Sequence, residues 1–287
     1  LTPPAAGVNI ITTPTLNAEE RMTTAPLADC LDFALHAARR AGEIIMPYYQ
    51  GDVGVETKGD GSPVTLADRG AEQELRRMIR ERFPNDGVLG EEFGELAGTS
   101  GRRWVLDPID GTKAFVRGVP LFGVLIGLEQ DGEAVAGVVS MPALDEFVYA
   151  ARGQGCWWLP SGRKAGSSPR RARVSSLAPL AEGLLLVNSF EYFEKGKRVE
   201  AHDQLLRAAR EQRGWGDCYG HILVATGRAE VAVDPLMNAW DGAPLLPILQ
   251  EAGGTFTDWQ GNATIHGGDG ISTNGKVFDE VMRLVRR

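Results

Sequence analysis

Residues 104–115 read WVLDPIDGTKAF: an apolar run, two aspartates with only Pro108 and Ile109 between them, then Gly111 and Thr112. A short apolar run that stops at acidic residues is the pattern of a strand ending in a loop. Carboxylates held this close repel, and their pKa values climb unless a cation sits among them. Upstream, GVLGEEFGE (87–95) repeats the shape and ends in Glu91 and Glu92. If the two strands lie side by side, the four carboxylates converge. Oxygen donors in that number suit a hard cation such as Mg²⁺ rather than zinc, and no histidine lies in either motif. Pro108 stiffens the backbone, so Ile109 can offer its carbonyl as a neutral ligand. Gly111 and Thr112 would open a helical turn whose amides favour a phosphate oxygen. A phosphate monoester fits between such cations and such amides.

Singly, each motif has a plainer explanation. D-x-x-D after a strand is commonly a loop with a helix cap, and Asp68, three residues after Thr65, completes a capping box. Asp241 precedes a helical run, where capping alone would account for it.

Composition narrows the partners. The 287 residues suffice for one large domain or two tightly packed halves. With 38 acidic and 30 basic residues the net charge is −8, and no basic stripe suggests a nucleic-acid polymer. Cys30, Cys156 and Cys218 stand far apart without a C-x-x-C pair, which fits a reducing compartment and excludes a disulfide framework. No apolar run approaches the roughly 18 residues of a membrane span. Residues 1–28 read as a loose arm, with no Lys or Arg in the first twenty positions and no signal-peptide core. The expected compartment is the cytoplasm.

Along the chain, 29–46 places Leu31, Leu35, Ala38, Ala41 and Ile45 on one helical face, and Pro47 closes it. A Gly- and Asp-rich loop, KGDGSP (58–63), precedes a second helix over 65–83 with Ala71, Leu75, Met78 and Ile79 in period. From 122 to 160 the pattern predicts an antiparallel meander. Further on come a strand at 183–189, a helix over 198–212, a helix over 217–227 with Gly227 capping it, and a strand at 229–235. A helix at 240–254, a strand at 254–259 and a terminal helix from 276 complete the reading. Strict βαβ alternation is absent, so the expectation is a layered α+β fold. A split near residue 180 gives 29–180 as the metal- and phosphate-binding part and 181–287 as the substrate-selecting part.

Together, GEE (90–92), DPIDGT (107–112), WDGAP (240–244) and EAGG (251–254) resemble the inositol monophosphatase superfamily of Mg²⁺-dependent phosphatases, over about residues 29–287. The resemblance implies an α-β-α-β-α sandwich, a homodimer and two or three Mg²⁺ ions. It assigns Glu91, Asp107 and the Ile109 carbonyl to a first metal, with Asp107 bridging to a second held by Asp110 and Asp241. Asp68 and Glu92 would position a third ion or its waters, and Gly111 and Thr112 the phosphate. Glu91, Thr112 and Asp68 would serve the attacking water. Pro244 and Pro247 depart from the family pattern, and Pro247 is expected to kink or loosen the helix after Asp241. Gly242 adds flexibility at that turn.

The leaving group is less constrained. Asp217 stands where inositol-acting members carry small neutral residues, and Asp234 matches a substrate-contacting acid. Two carboxylates there, with Asp110 nearby, favour a cationic alcohol. The run WGDCYGHILVATGRAEVAVDPLMNAWD is most similar to the inositol-monophosphatase-like histidinol-phosphate phosphatases. An inositol-1-phosphatase, a nucleotide 3′-phosphatase and a silent scaffold on the same fold remain alternatives. Asn188 reads first as a strand-end turn residue and second as a further polar contact to the alcohol, and His221 reads as a packing histidine. Trp104 and Trp240 would pack behind their aspartates, with Arg103, Lys113 and Arg117 flanking the loop; Lys113 could steer an anion or simply be solvated.

Overall fold

The structure is a computed structural model that describes residues 25–51, 56–57, 63–161 and 168–286. Most of the KGDGSP loop and nearly all of the proposed arm lie outside the described residues. Among the described residues the first helices are α1 (Leu27–Ile45), which starts two residues before the predicted helix, and α2 (Leu66–Arg82). Small residues line the inner face of α1 (Ala34, Ala37, Ala38, Ala41), which lets it lie close to its neighbours. Thr65 and Asp68 form a reciprocal capping box at the start of α2, as their spacing predicts. A two-residue pairing, β1 (Glu56–Thr57) with β2 (Pro63–Val64), precedes it.

The larger sheet contains β3 (Gly87–Gly90), β4 (Gly94–Leu96), β5 (Arg102–Asp110), β6 (Gly123–Gln130), β7 (Glu133–Met141), β8 (Glu146–Ala151), β9 (Gly155–Leu159) and β10 (Arg170–Arg171). Its order is β10-β9-β8-β7-β6-β5-β3-β4, so the predicted meander forms its centre. The smaller sheet contains β11 (Leu184–Val187), β12 (Glu211–Arg213), β13 (Val231–Asp234), β14 (Thr255–Thr257) and β15 (Gly270–Thr273), in the order β12-β11-β13-β15-β14. The remaining helices are a four-residue turn, α3 (Thr112–Phe115), then α4 (Phe190–Lys195), α5 (Val199–Ala208), α6 (Asp217–Ala225), α7 (Ala239–Glu251) and, after the last strand, α8 (Phe278–Val285).

Side-chain alternation along the strands builds the layers. On β5 and β6, Trp104, Leu106, Val124 and Ile126 face α1 and α2. Val105 and Leu125 face the other way, into a core shared with Ile222 of α6, Leu245 and Ile248 of α7, and Leu186 and Ala232 of the smaller sheet. That sheet's outer face, with Leu185, Val231 and Val233, meets Leu205 of α5 and Val281 of α8. The result is the expected α-β-α-β-α sandwich.

The structure departs from the sequence reading at two places. The helix predicted over 198–212 ends at Ala208, and Glu211–Arg213 forms an edge strand parallel to β11. The strand β15, which pairs with both β13 and β14, was not anticipated. Pro244 and Pro247 both lie inside α7, which runs on to Glu251. Both are buried between the sheets, where packing outweighs the lost backbone bonds. That packing is close. A Cβ on Gly127 would sit 2.5 Å from Ala243 Cβ, and one on Gly137 would overlap the Pro244 carbonyl.

Candidate metal and substrate site

Asp107 and Asp110 are three residues apart, so on a regular strand they would face opposite sides of the sheet. They do not, because β5 bulges between them. Asp107 pairs with Leu125 and Asp110 with Gly123, so two residues of β5, Pro108 and Ile109, stand opposite the single residue Val124. The extra residue turns Asp110 to the same side as Asp107. Proline is tolerated there because a bulge already interrupts the ladder. On the other side, β3 pairs in parallel with β5, with Gly90 opposite Leu106. The next residue, Glu91, donates its amide to the Leu106 carbonyl at 3.2 Å, which brings it to Asp107.

Asp241 arrives from the second half of the chain, in the first turn of α7, where its carboxylate accepts the Asn238 amide at 2.7 Å. Carboxylate oxygens of Asp107, Asp110 and Asp241 all lie within 4.8 Å of one another. Asp110 also accepts the Cys218 amide at 2.5 Å. Burial and the facing charges of Glu91, Asp110 and Asp241 raise the Asp107 carboxyl well above the usual range. Burial, with Asp217 and Asp241 nearby, does the same to Asp110. Burial pushes Asp241 up to about 7. Asp68 is pushed up to about 6, mainly by burial, with Glu92 and Glu91 adding to it.

Such a cluster is unfavourable by itself and suits a bound cation. Asp68 gives a second sign. One of its oxygens accepts from the Thr65 amide at 2.8 Å and the Thr65 hydroxyl at 2.5 Å, while Oδ1 is buried with no hydrogen-bond partner among the described residues. Oxygen donors alone, crowded and partly orphaned, fit a hard divalent cation.

Gly111 adopts a left-handed conformation (φ 82°) at the start of α3, where a Cβ would come 2.9 Å from the Leu121 carbonyl. The Thr112 hydroxyl donates to the Ile109 carbonyl at 2.9 Å, tying the hydroxyl to the predicted neutral ligand. Lys113 stands over the Tyr192 ring, 4.5 Å from its centroid, with Glu191 at 4.0 Å. Arg117 donates to the Lys113 carbonyl. Arg103 does not flank the loop; it pairs with Glu129 and Glu95 near the far end of β5. Trp104 is fully buried and donates to Asp86, whereas Trp240 is only half-buried.

The brace behind Glu91 and Glu92 was not anticipated. Glu72, in the middle of α2, is fully buried. Its carboxylate accepts the amides of Glu92 (2.7 Å) and Phe93 (3.2 Å) and pairs with Arg76 at 2.7 Å. Gly90 has no side chain because Glu72 fills the space that a Cβ would take. In sequence Glu72 and Arg76 look like an ordinary i,i+4 surface pair. The only available signal was Gly90, directly before the two glutamates.

Asp217 and Asp234 are also brought together. Asn188, at the end of β11, donates its side-chain amide to both, at 2.9 Å each. His221 is buried, with Nδ1 2.7 Å from the Ser272 hydroxyl and Nε2 3.4 Å from Asp234. Both residues do more than the turn and packing roles expected of them. Burial, with Asp234 beside it, pushes the Asp217 carboxyl up to about 6.

Comparison with known proteins agrees with this geometry. The inositol monophosphatase family profile matches residues 27–286. A histidinol-phosphatase of Chlorobaculum parvum is 44% identical over 242 residues, covering 84% of this chain and 90% of that protein. One from Mycobacterium tuberculosis is 41% identical over 255 residues, covering 88% and 96%. The solved structure of a Thermotoga maritima IMPase superposes with a TM-score of 0.78 at 33% identity, covering 90% of this chain and 97% of that one. Sequence motifs, layer order and carboxylate cluster lead to one placement: the chain belongs to the inositol monophosphatase family and is a phosphoric monoester hydrolase.

Proposed function

We propose that this phosphatase is Mg²⁺-dependent and hydrolyses L-histidinol phosphate to L-histidinol and phosphate, a step of histidine biosynthesis. The observation that carries the choice of alcohol is the Asp217–Asp234 pair held by the Asn188 amide. A neutral polyol gains little from two adjacent carboxylates, whereas a protonated amine or imidazole gains a counter-charge. The names of the two bacterial relatives support the same reading.

In this proposal Glu91, Asp107 and the Ile109 carbonyl hold one cation, and Asp107, Asp110 and Asp241 another. Asp68 and Glu92 serve a third ion or its waters. When bound, divalent cations there supply charge to the phosphate, acidify water and stabilise the departing alkoxide. The chain does the rest. Gly111 and Thr112 present amides to the phosphate oxygens. The Thr112 hydroxyl, Glu91 and Asp68 orient a water in line with the scissile bond. Its oxygen forms the new bond to phosphorus, the phosphorus–alkoxide bond breaks, and the proton that the water sheds passes to the departing alkoxide. Asp217 and Asp234 hold the cationic alcohol.

Residues 29–180 then supply most of the metal and phosphate contacts and 181–287 the alcohol contacts, with Asp241 crossing that division. A homodimer in the cytoplasm belongs to the same proposal. Among the described residues no helix is long and apolar enough to cross a membrane.

The test is phosphate release from L-histidinol phosphate, myo-inositol 1-phosphate and adenosine 3′,5′-bisphosphate at matched low concentrations, with and without Mg²⁺. A Mg²⁺-dependent preference for the first is expected. Preference for either rival would retain the phosphatase chemistry and overturn the assignment of Asp217 and Asp234.

A further inference from the structure

Strands β11 and β13 run parallel and adjacent, so Asn188 and Asp234 emerge at the same edge of the smaller sheet. Asp217 reaches that edge from the first residue of α6, with its backbone in the left-handed region (φ 54°), which side chains other than glycine rarely adopt. The side-chain nitrogen of Asn188 lies 2.9 Å from Oδ1 of each aspartate. A primary amide has two N–H groups, and both are engaged by these carboxylates. Its orientation is fixed from the other side, because Asn188 Oδ1 accepts the Ser189 amide at 2.8 Å.

The remaining carboxylate oxygens differ. Asp234 Oδ2 faces His221 Nε2 at 3.4 Å, and the imidazole is anchored by Ser272. Asp217 Oδ2 lies 3.2 Å from where a Cβ on Gly111 would sit, on the side of the proposed phosphate loop. A neutral donor between two anions holds them together without cancelling their charge. The pair therefore presents a preformed negative receptor beside the phosphate loop.

We infer that Asn188 is a specificity-determining positioning residue, which holds Asp217 and Asp234 as a paired receptor for a cationic leaving group, with His221 fixing Asp234 from behind. The inference rests on the reading of those aspartates as alcohol contacts. It goes further in placing the selectivity in a residue that need not touch the alcohol.

The experiment measures kcat and KM for L-histidinol phosphate and myo-inositol 1-phosphate at saturating Mg²⁺. It uses the full chain, Asn188→Ala, Asn188→Ser, Asp217→Asn and the double variant Asn188→Ala/Asp217→Asn. In Asn188→Ala the ratio of kcat/KM values should fall about ten-fold or more, mainly through KM for the cationic ester. Asn188→Ser keeps one donor and should restore part of the ratio; it also provides the test if the alanine chain does not fold. The double variant should lose less selectivity than the two single losses combined, because residues acting through one another are not additive. Equal losses on both esters, or additive losses of selectivity, would overturn the role of Asn188 while leaving the substrate reading in place. A wild-type chain without preference for the cationic ester would sink the substrate reading itself, and this inference with it.

Discussion

Asp107 concentrates the competing forces in the site. It is 2% exposed and faces the charges of Glu91, Asp110 and Asp241, so its ionised form is costly in the metal-free chain. Asp107→Asn should remove that cost. The metal-free variant is expected to melt no lower than the parent, while the rise in Tm on adding Mg²⁺ disappears and turnover falls at least ~10³-fold. Thermal melts with and without Mg²⁺, alongside a turnover assay, check all three. The pH response follows from the same forces. Asp241 sits near 7 and Asp217 and Asp68 near 6 in the folded chain. Free aspartate sits near 3.9. A carboxyl raised by folding destabilises the native state above its folded pKa, and that penalty is relieved as pH falls toward the unfolded value. The metal-free protein should therefore gain Tm as pH drops from about 7 to about 4, while Mg²⁺ affinity weakens over the upper part of that range because protons compete for the same oxygens. Melting curves in chelator and in Mg²⁺ across pH 4–8 would show the two series converging on acidification. A gap that stays constant would contradict the proton competition.

At the scale of elements, the brace between α2 and the turn after β3 makes a separate prediction. Gly90→Ala would drive a methyl into Glu72, so it should destabilise by about 1–3 kcal/mol and raise the Mg²⁺ concentration needed for half-maximal activity. Glu72→Gln keeps the acceptor for the Glu92 amide and should be milder than Glu72→Ala on the same Mg²⁺ titration. How much of this was legible in the sequence varies with the physics involved. Long periodic segments such as α1 and α2 and the alternating meander β6–β8 declared themselves, because burial repeats along them. Strand β15 did not. It is four residues long, lies among glycines and polar residues (GGDGISTNG), and owes its existence to pairing with β13 and β14. Edge strand β12 has the same cause, and its three residues (Glu211, Gln212, Arg213) are all polar, with no apolar alternation. In the site, the carboxylates could be read from their motifs, but the bulge that makes Asp107 and Asp110 share a face depends on the register with β6. The engagement of Glu72, Asn188 and His221 likewise arises only when distant segments meet.

For the molecule as a whole, α7 is the shared floor. One of its faces lies on the larger sheet, close enough that Gly127 and Gly137 can carry no side chain, and another meets the smaller sheet, while its first turn carries Asp241. Residues of both sheets enter one buried cluster around it. Neither half can therefore melt and leave the other with an intact core. Calorimetry should record one transition whose van't Hoff and calorimetric enthalpies agree, rather than two steps. Addition of Mg²⁺ should move that single peak without splitting it. Gly137→Ala, where β7 packs against α7, is expected to lower the same peak as a unit. The helix that completes the proposed cation site is also the one on which both sheets' packing depends. Loss of catalytic competence and loss of the native chain should therefore coincide on heating: an assay of surviving activity would double as a thermometer for global unfolding, with no inactive but folded population building up in between.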